Sequence, residues 1–126
     1  MDEFPESEWT SRIILCAIEV HRYLGPGLLE SAYESCLCRE LEIGEIPFKQ
    51  KIPLDVSYKG ISLDCGYRLD LLVADKVVVE LKSVDVLLPI HSAQLLTYLK
   101  LAKMKVGLLL NFNCNLMKDG IKRIVL

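Results

Sequence analysis

Two acids and a lysine are the residues of this chain best suited to chemistry. In Val77-Val78-Val79-Glu80-Leu81-Lys82 a carboxylate and an ammonium stand two positions apart in a run otherwise suited to a buried strand. Residues i and i+2 of a strand share a face, so Glu80 and Lys82 lie side by side. Burial of unpaired charge is expensive, so a metal, an ion pair or open solvent must compensate them. In the preceding strand Tyr67, Leu69, Leu71 and Val73 share one face, and Arg68, Asp70 and Leu72 the other. If Ala74-Asp75-Lys76 is a three-residue hairpin loop, Asp70 lies directly across from Glu80, with Cβ atoms about 5 Å apart. A two-residue turn would put Asp70 on the opposite face. Two facing carboxylates repel unless a proton or a divalent cation lies between them. With such a cation, Mg2+ or Mn2+, the pair becomes a metal-dependent hydrolytic centre. Lys82 would then orient a water and stabilise charge developing on a phosphate. The competing reading is a solvated strand face of alternating charge.

Three further groups extend the set. Gln94 and Tyr98 are spaced i and i+4 and so share a helix face, with His91 one turn earlier. Gln94 can hold the attacking water or a phosphate oxygen, and Tyr98 can stack on a base or bond a phosphate. Glu30 follows Gly25-Pro26-Gly27, falls in a first helical turn and shares a face with Tyr33. Simpler roles compete in each case. Glu30 suits the helix dipole, Gln94 a polar helix face, and Tyr33 and Tyr98 core packing with a bonded hydroxyl. His91 suits a surface or capping position better than that of a base.

The elements that must position these groups follow from periodicity. Ser7 to Tyr23 predicts a helix capped by Ser7, with Ile13, Ile14, Ala17 and Ile18 as its apolar stripe. Gly25-Pro26-Gly27 breaks it, and Leu28 to Leu41 predicts a second helix. The period changes to two from Phe48, with a turn at Lys59-Gly60, a strand starting over Ile61 to Cys65 that Gly66 to Val73 continues or follows, and another over Lys76 to Lys82. A third helix follows over Ile90 to Lys103, then strands over Val106 to Phe112 and Gly120 to Leu126. The order is helix, helix, three or four strands, helix, two strands. This is an α/β or α+β arrangement with helices covering a central mixed sheet.

Taken in order, Gly27-x-x-Glu30-x-x-Tyr33, Gly66-x-x-x-Asp70, Glu80-x-Lys82 and Gln94-x-x-x-Tyr98 resemble the GxxExxY family and the RecB-type nucleases of the PD-(D/E)XK superfamily. The similarity runs from about Ser11 to the C-terminus. It implies a restriction-endonuclease-like fold. It also implies Asp70 and Glu80 as metal ligands, Lys82 as the catalytic lysine, and support from Gln94 and Tyr98, with Glu30 joining the metal site. The residue before Asp70 is Leu69 rather than the proline of the superfamily's name.

The bulk properties agree with one domain over residues 1–126. The net charge of −2, from 15 basic and 17 acidic residues, is not the footprint of a protein that coats duplex DNA. It leaves room for a nuclease, because bound cations invert the local sign. A mean hydropathy of +0.31 suggests a well-filled core and an apolar surface for a homodimer or a protein partner. The lysines 100, 103 and 105 form either a solvated face or a track for a phosphate backbone, and so do Lys118, Lys122 and Arg123. Trp9 reads as a core or interface anchor. The five cysteines, an odd and scattered set, read as reduced thiols. No apolar run approaches a membrane span, and the acidic Met1-Asp2-Glu3-Phe4 is unlike a secretory signal. The expected location is the cytoplasm, and the expected partner is DNA or RNA.

Overall fold

The computed structural model describes residues 6–126; the acidic start, Met1-Asp2-Glu3-Phe4, lies outside them. Two helices come first, α1 over Ser7–Leu24 and α2 over Glu30–Ile43. Five strands follow: β1 (Phe48–Pro53), β2 (Val56–Tyr58), β3 (Ile61–Leu63), β4 (Arg68–Val73) and β5 (Val77–Lys82). Helix α3 (Pro89–Ala102) leads to β6 (Val106–Asn111), a short 3-10 turn over Met117–Gly120, and β7 (Ile121–Val125). Strands β1-β4-β5-β6-β7 form one mixed sheet, in which only β5 and β6 run parallel, joined through α3. This is the mixed α/β architecture expected, a restriction-endonuclease-like sheet with helices on both faces.

The strand count departs from expectation. Five strands, not three or four, precede α3, because the alternating stretch from Phe48 to Tyr58 divides after Pro53. Leu54 N–H still donates to Tyr67 O at 2.9 Å, one residue past the strand's end. The chain turns there, and β2 and β3 form a separate two-stranded ribbon. Lys59 and Gly60 both take positive φ (45° and 89°), the geometry of a tight hairpin turn whose twist matches that of its strands. Ser7 does not cap α1 either. It is the first helical residue, and the cap position is Glu6, whose side chain makes no capping bond.

The sheet divides two cores. Against one face, α1 and α2 bring Ile13, Ala17, Leu37 and Leu41 onto Leu71, Val79, Leu108 and Leu110. Against the other, α3 brings Leu95 and Leu99 onto Leu72, Val78 and Leu109. Each fully buried aliphatic side chain contributes roughly 1.5–3 kcal/mol of apolar burial. Gly107 of β6 lets α3 approach closely, since a Cβ there would meet the Leu95 side chain at 3.0 Å. Trp9 packs against the first core, with the Arg12 guanidinium 5.1 Å from its ring centre. Buried His21 joins α1 to the far end of the chain by donating its Nε2–H to the Cys114 carbonyl at 2.7 Å. All five cysteines are unpaired, and Cys65 is exposed. No helix among the described residues is long and apolar enough to cross a membrane.

Candidate active site

The hairpin between β4 and β5 brings the acids together. Its pairs run Val73 with Val77, Leu72 with Val78 and Leu71 with Val79, so residues 74–76 form the loop and the next pair in register is Asp70 with Glu80. Ala74 and Asp75 take positive φ (55° and 53°) to close it. The backbone ladder stops at Leu71, and side chains continue it. Asp70 N–H donates to Glu80 Oε1 at 3.1 Å, and Leu81 N–H donates to Asp70 Oδ2 at 2.9 Å. Each carboxylate thus takes the place of a carbonyl on the opposite strand.

The other neighbour of Asp70 is disturbed as well. In the β1·β4 register, Gln50 pairs with Leu71 and Ile52 with Leu69, which leaves Lys51 opposite Asp70. Lys51 has φ 52°, a left-handed conformation that costs a non-glycine residue in mid-strand. The expected alternation of β4 fails at the same point: Leu71 packs in the first core, but Leu69 packs with Leu72 in the second. Distortion on both sides frees Asp70 from ordinary pairing.

Burial and charge then act on Glu80. It is only 6% exposed. Burial first, then the facing charge of Asp70, push its pKa up to about 8, while Lys82 pulls it down. The protonated form is further favoured by a hydrogen bond to the Asp70 carboxylate. Lys82, half-buried, ends β5 on the same strand face.

Glu30, at the start of α2, lies near enough to this site to feel its charges. Ser83 Oγ donates to Leu28 O at 2.7 Å, so the chain leaving β5 is tied to the turn that starts α2. Glu30 is an exposed residue, yet partial burial of its carboxyl, and then Asp70, raise its pKa, while Lys82 lowers it. The turn itself is held by Tyr33, whose hydroxyl donates to Gly25 O at 2.6 Å and accepts from Leu28 N–H at 3.1 Å. The Tyr33 ring lies stacked on Phe112, centroids 4.6 Å apart, and has no exposed surface. Of its two possible roles the geometry therefore matches core packing, and direct substrate support is not open to it.

From α3, the Gln94 amide donates to the Tyr98 hydroxyl at 3.2 Å. Tyr98 is nearly buried, and its pKa is raised by that burial, then by Glu80, Tyr67 and Asp70. Tyr98 thus faces the carboxylate pair, and Gln94, exposed, stands beside it. His91 serves as a cap: its Nδ1 accepts from Leu88 N–H at 3.0 Å.

Asn111 was not anticipated. It ends β6 beside Lys82 and is buried. Its Oδ1 accepts from Val84 N–H and Asn113 N–H, and its Nδ2 donates to Val84 O at 2.9 Å. Phe112 N–H donates to Lys82 O at 3.0 Å. The backbone carrying Lys82 is therefore clamped from β6. The available signal resembled that of Glu80, a polar residue closing the apolar run Val106-Gly107-Leu108-Leu109-Leu110.

Among the described residues no group of three or more His, Cys, Asp or Glu side chains is arranged to hold a metal ion. The fit therefore rests on the donor chemistry of Asp70 and Glu80. Two facing carboxylates, once the proton that burial favours has left, are the hard oxygen donors Mg2+ takes one or two at a time, leaving its other positions to water and phosphate.

A model of the PD-(D/E)XK nuclease superfamily matches residues 7–124, and the chain belongs to that superfamily. Comparisons with curated proteins and with solved structures find no match.

Proposed function

We propose that this protein is a metal-dependent nuclease hydrolysing phosphodiester bonds of DNA or RNA. The carrying observation is the Asp70–Glu80 pair, facing across a hairpin beside Lys82 where side-chain bonds replace the β4–β5 ladder. Asp70 and Glu80 would hold Mg2+ or Mn2+, and the Glu30 carboxylate, near enough to feel Asp70, would add negative charge beside the cation. When bound, the cation supplies neutralisation of phosphate charge and a more acidic water. The Lys82 ammonium donates to an oxygen of the phosphate and fixes the attacking water, as its three N–H donors permit. Gln94 positions a second polar contact, and Tyr98 holds its amide in place. The five unpaired thiols suit a reducing compartment, which supports the cytoplasm as the place of action.

Calorimetric titration of Mg2+ and Mn2+ tests the proposal, joined to cleavage assays on single- and double-stranded oligonucleotides. Wild type should bind and cut. Asp70→Asn and Glu80→Gln should lose both properties while remaining folded. Retained cleavage in Glu80→Gln would sink the assignment. One observation favours a second reading, a nuclease-fold protein that binds nucleic acid or a partner without cutting: one oxygen of each acid is already taken by a backbone N–H. Failure of either metal to bind at millimolar concentration selects that reading.

A further inference from the structure

Beside the carboxylates, between the β2–β3 ribbon and α3, runs a groove of about 340 Å³. Val56 and Tyr67 form one wall, and Ile90, Ala93 and Thr97 the other. Gln94 and Tyr98 line it too, and Tyr98 packs in one core with Leu69, the residue before Asp70. Tyr67 stands in the loop before β4, about half exposed, its ring tilted 59° to that of Tyr98 at 6.3 Å between centroids. Outward from Val56, the ribbon pairs Val56 with Leu63 and Tyr58 with Ile61, placing four apolar side chains on one face. Among the described residues the outer pair of that face is uncovered: Tyr58 and Ile61 are more than half exposed. The Lys59 ammonium lies 5.3 Å from the centre of the Tyr58 ring.

This combination of ring faces and few charges selects among nucleic acids. Duplexes bury their base faces and are held chiefly through phosphates by lysine and arginine. An unpaired strand offers its base faces, which stack on aromatic rings whatever the sequence. The groove supplies ring and aliphatic surface with two polar side chains, Gln94 and Thr97, and the chain as a whole carries a net charge of −2. Its volume lies at the small end of the roughly 300–1,000 Å³ of ligand clefts.

Resting on the nuclease reading, we propose that the substrate is an unpaired strand, whose bases next to the scissile phosphate lie in this groove and stack on Tyr67. The ribbon face from Val56 to Ile61 continues the path outward. The groove thereby chooses strand state, while Asp70, Glu80 and Lys82 act on the backbone.

The test is fluorescence anisotropy of a labelled short thymidine strand, with chelator present so that nothing is cut. The same strand in a duplex, and the same strand carrying abasic positions, are the comparisons. The unpaired strand should bind more tightly than either. Tyr67→Ala should weaken its binding roughly 5- to 150-fold, the range of one lost base stack, while Tyr67→Phe retains it. Equal binding of strand and duplex would overturn the proposal, as would an abasic strand that binds like the intact one. Self-association abolished by Tyr67→Ala would also overturn it, by giving the groove to a second copy. If Tyr67→Ala fails to fold, the abasic comparison on wild type decides alone. Because the readout is metal-free binding, an inactive protein that prefers unpaired strands refutes only the nuclease reading. An active one without that preference refutes only the groove.

Discussion

Replacing Glu80 by glutamine should make this protein more stable while removing its proposed function. The carboxyl of Glu80 is buried against Asp70, and its pKa is raised from 4.5 to about 8. A raised pKa in the folded state means that the native protein holds a proton the unfolded chain has already lost. The stability contributed by that proton is complete below about pH 4.5 and is lost as pH rises through about 8. Between those limits unfolding free energy falls by about 1.4 kcal/mol per pH unit, so roughly 3 kcal/mol is gone by pH 7. Glutamine is neutral throughout. Its oxygen can accept from Asp70 N–H as Glu80 Oε1 does, and its amide can donate to the Asp70 carboxylate as the protonated acid does. The variant should therefore exceed wild type by about 3 kcal/mol at pH 7, or roughly 10 °C in Tm for a chain of this length. The assay is urea unfolding from pH 5 to pH 9 with chelator. Wild-type stability should decline with pH, while the variant's profile loses this component. Repeating it with millimolar Mg2+ should restore wild type by mass action, increasingly at high pH where the proton no longer competes, and leave the variant unmoved. A variant less stable than wild type at pH 8 would refute the reasoning, for the facing acids would then not be strained.

Other expectations follow from single contacts. Lys82→Ala should lower kcat by roughly 10²–10⁴-fold, with metal affinity by calorimetry preserved or raised. Tyr33→Phe leaves Gly25 O and Leu28 N–H without their partner, at about 1–3 kcal/mol by chemical denaturation. Asn111→Ala strands two N–H groups and a carbonyl. It should cost roughly 2–4 kcal/mol in the same assay and reduce kcat through the loosened Lys82 backbone. Gly120→Ala should prevent folding or lower Tm steeply in a thermal melt, because its Cβ would collide with the Asn111 main-chain carbonyl.

Much of the reactive centre was legible in neighbouring residues. Strand periodicity put Glu80 and Lys82 on one face, and a three-residue loop put Asp70 opposite Glu80, as the register has it. Both facts concern residues within a dozen positions, where dihedral geometry alone dictates who meets whom. The break at Gly25-Pro26-Gly27 was equally local. Contacts between distant segments were not legible, since spacing along the chain says nothing of who meets across a core. Tertiary packing alone decided that Tyr33 lies under Phe112 and spends its hydroxyl on the Gly25 turn. It decided that Lys51 takes a left-handed backbone opposite Asp70, and that Asn111 grips the chain beyond Lys82. The sequence by itself determined which acids face each other. The packing of β1, β6 and α2 around them decided how each acid is buried, what relieves its charge and which groups hold the lysine beside it.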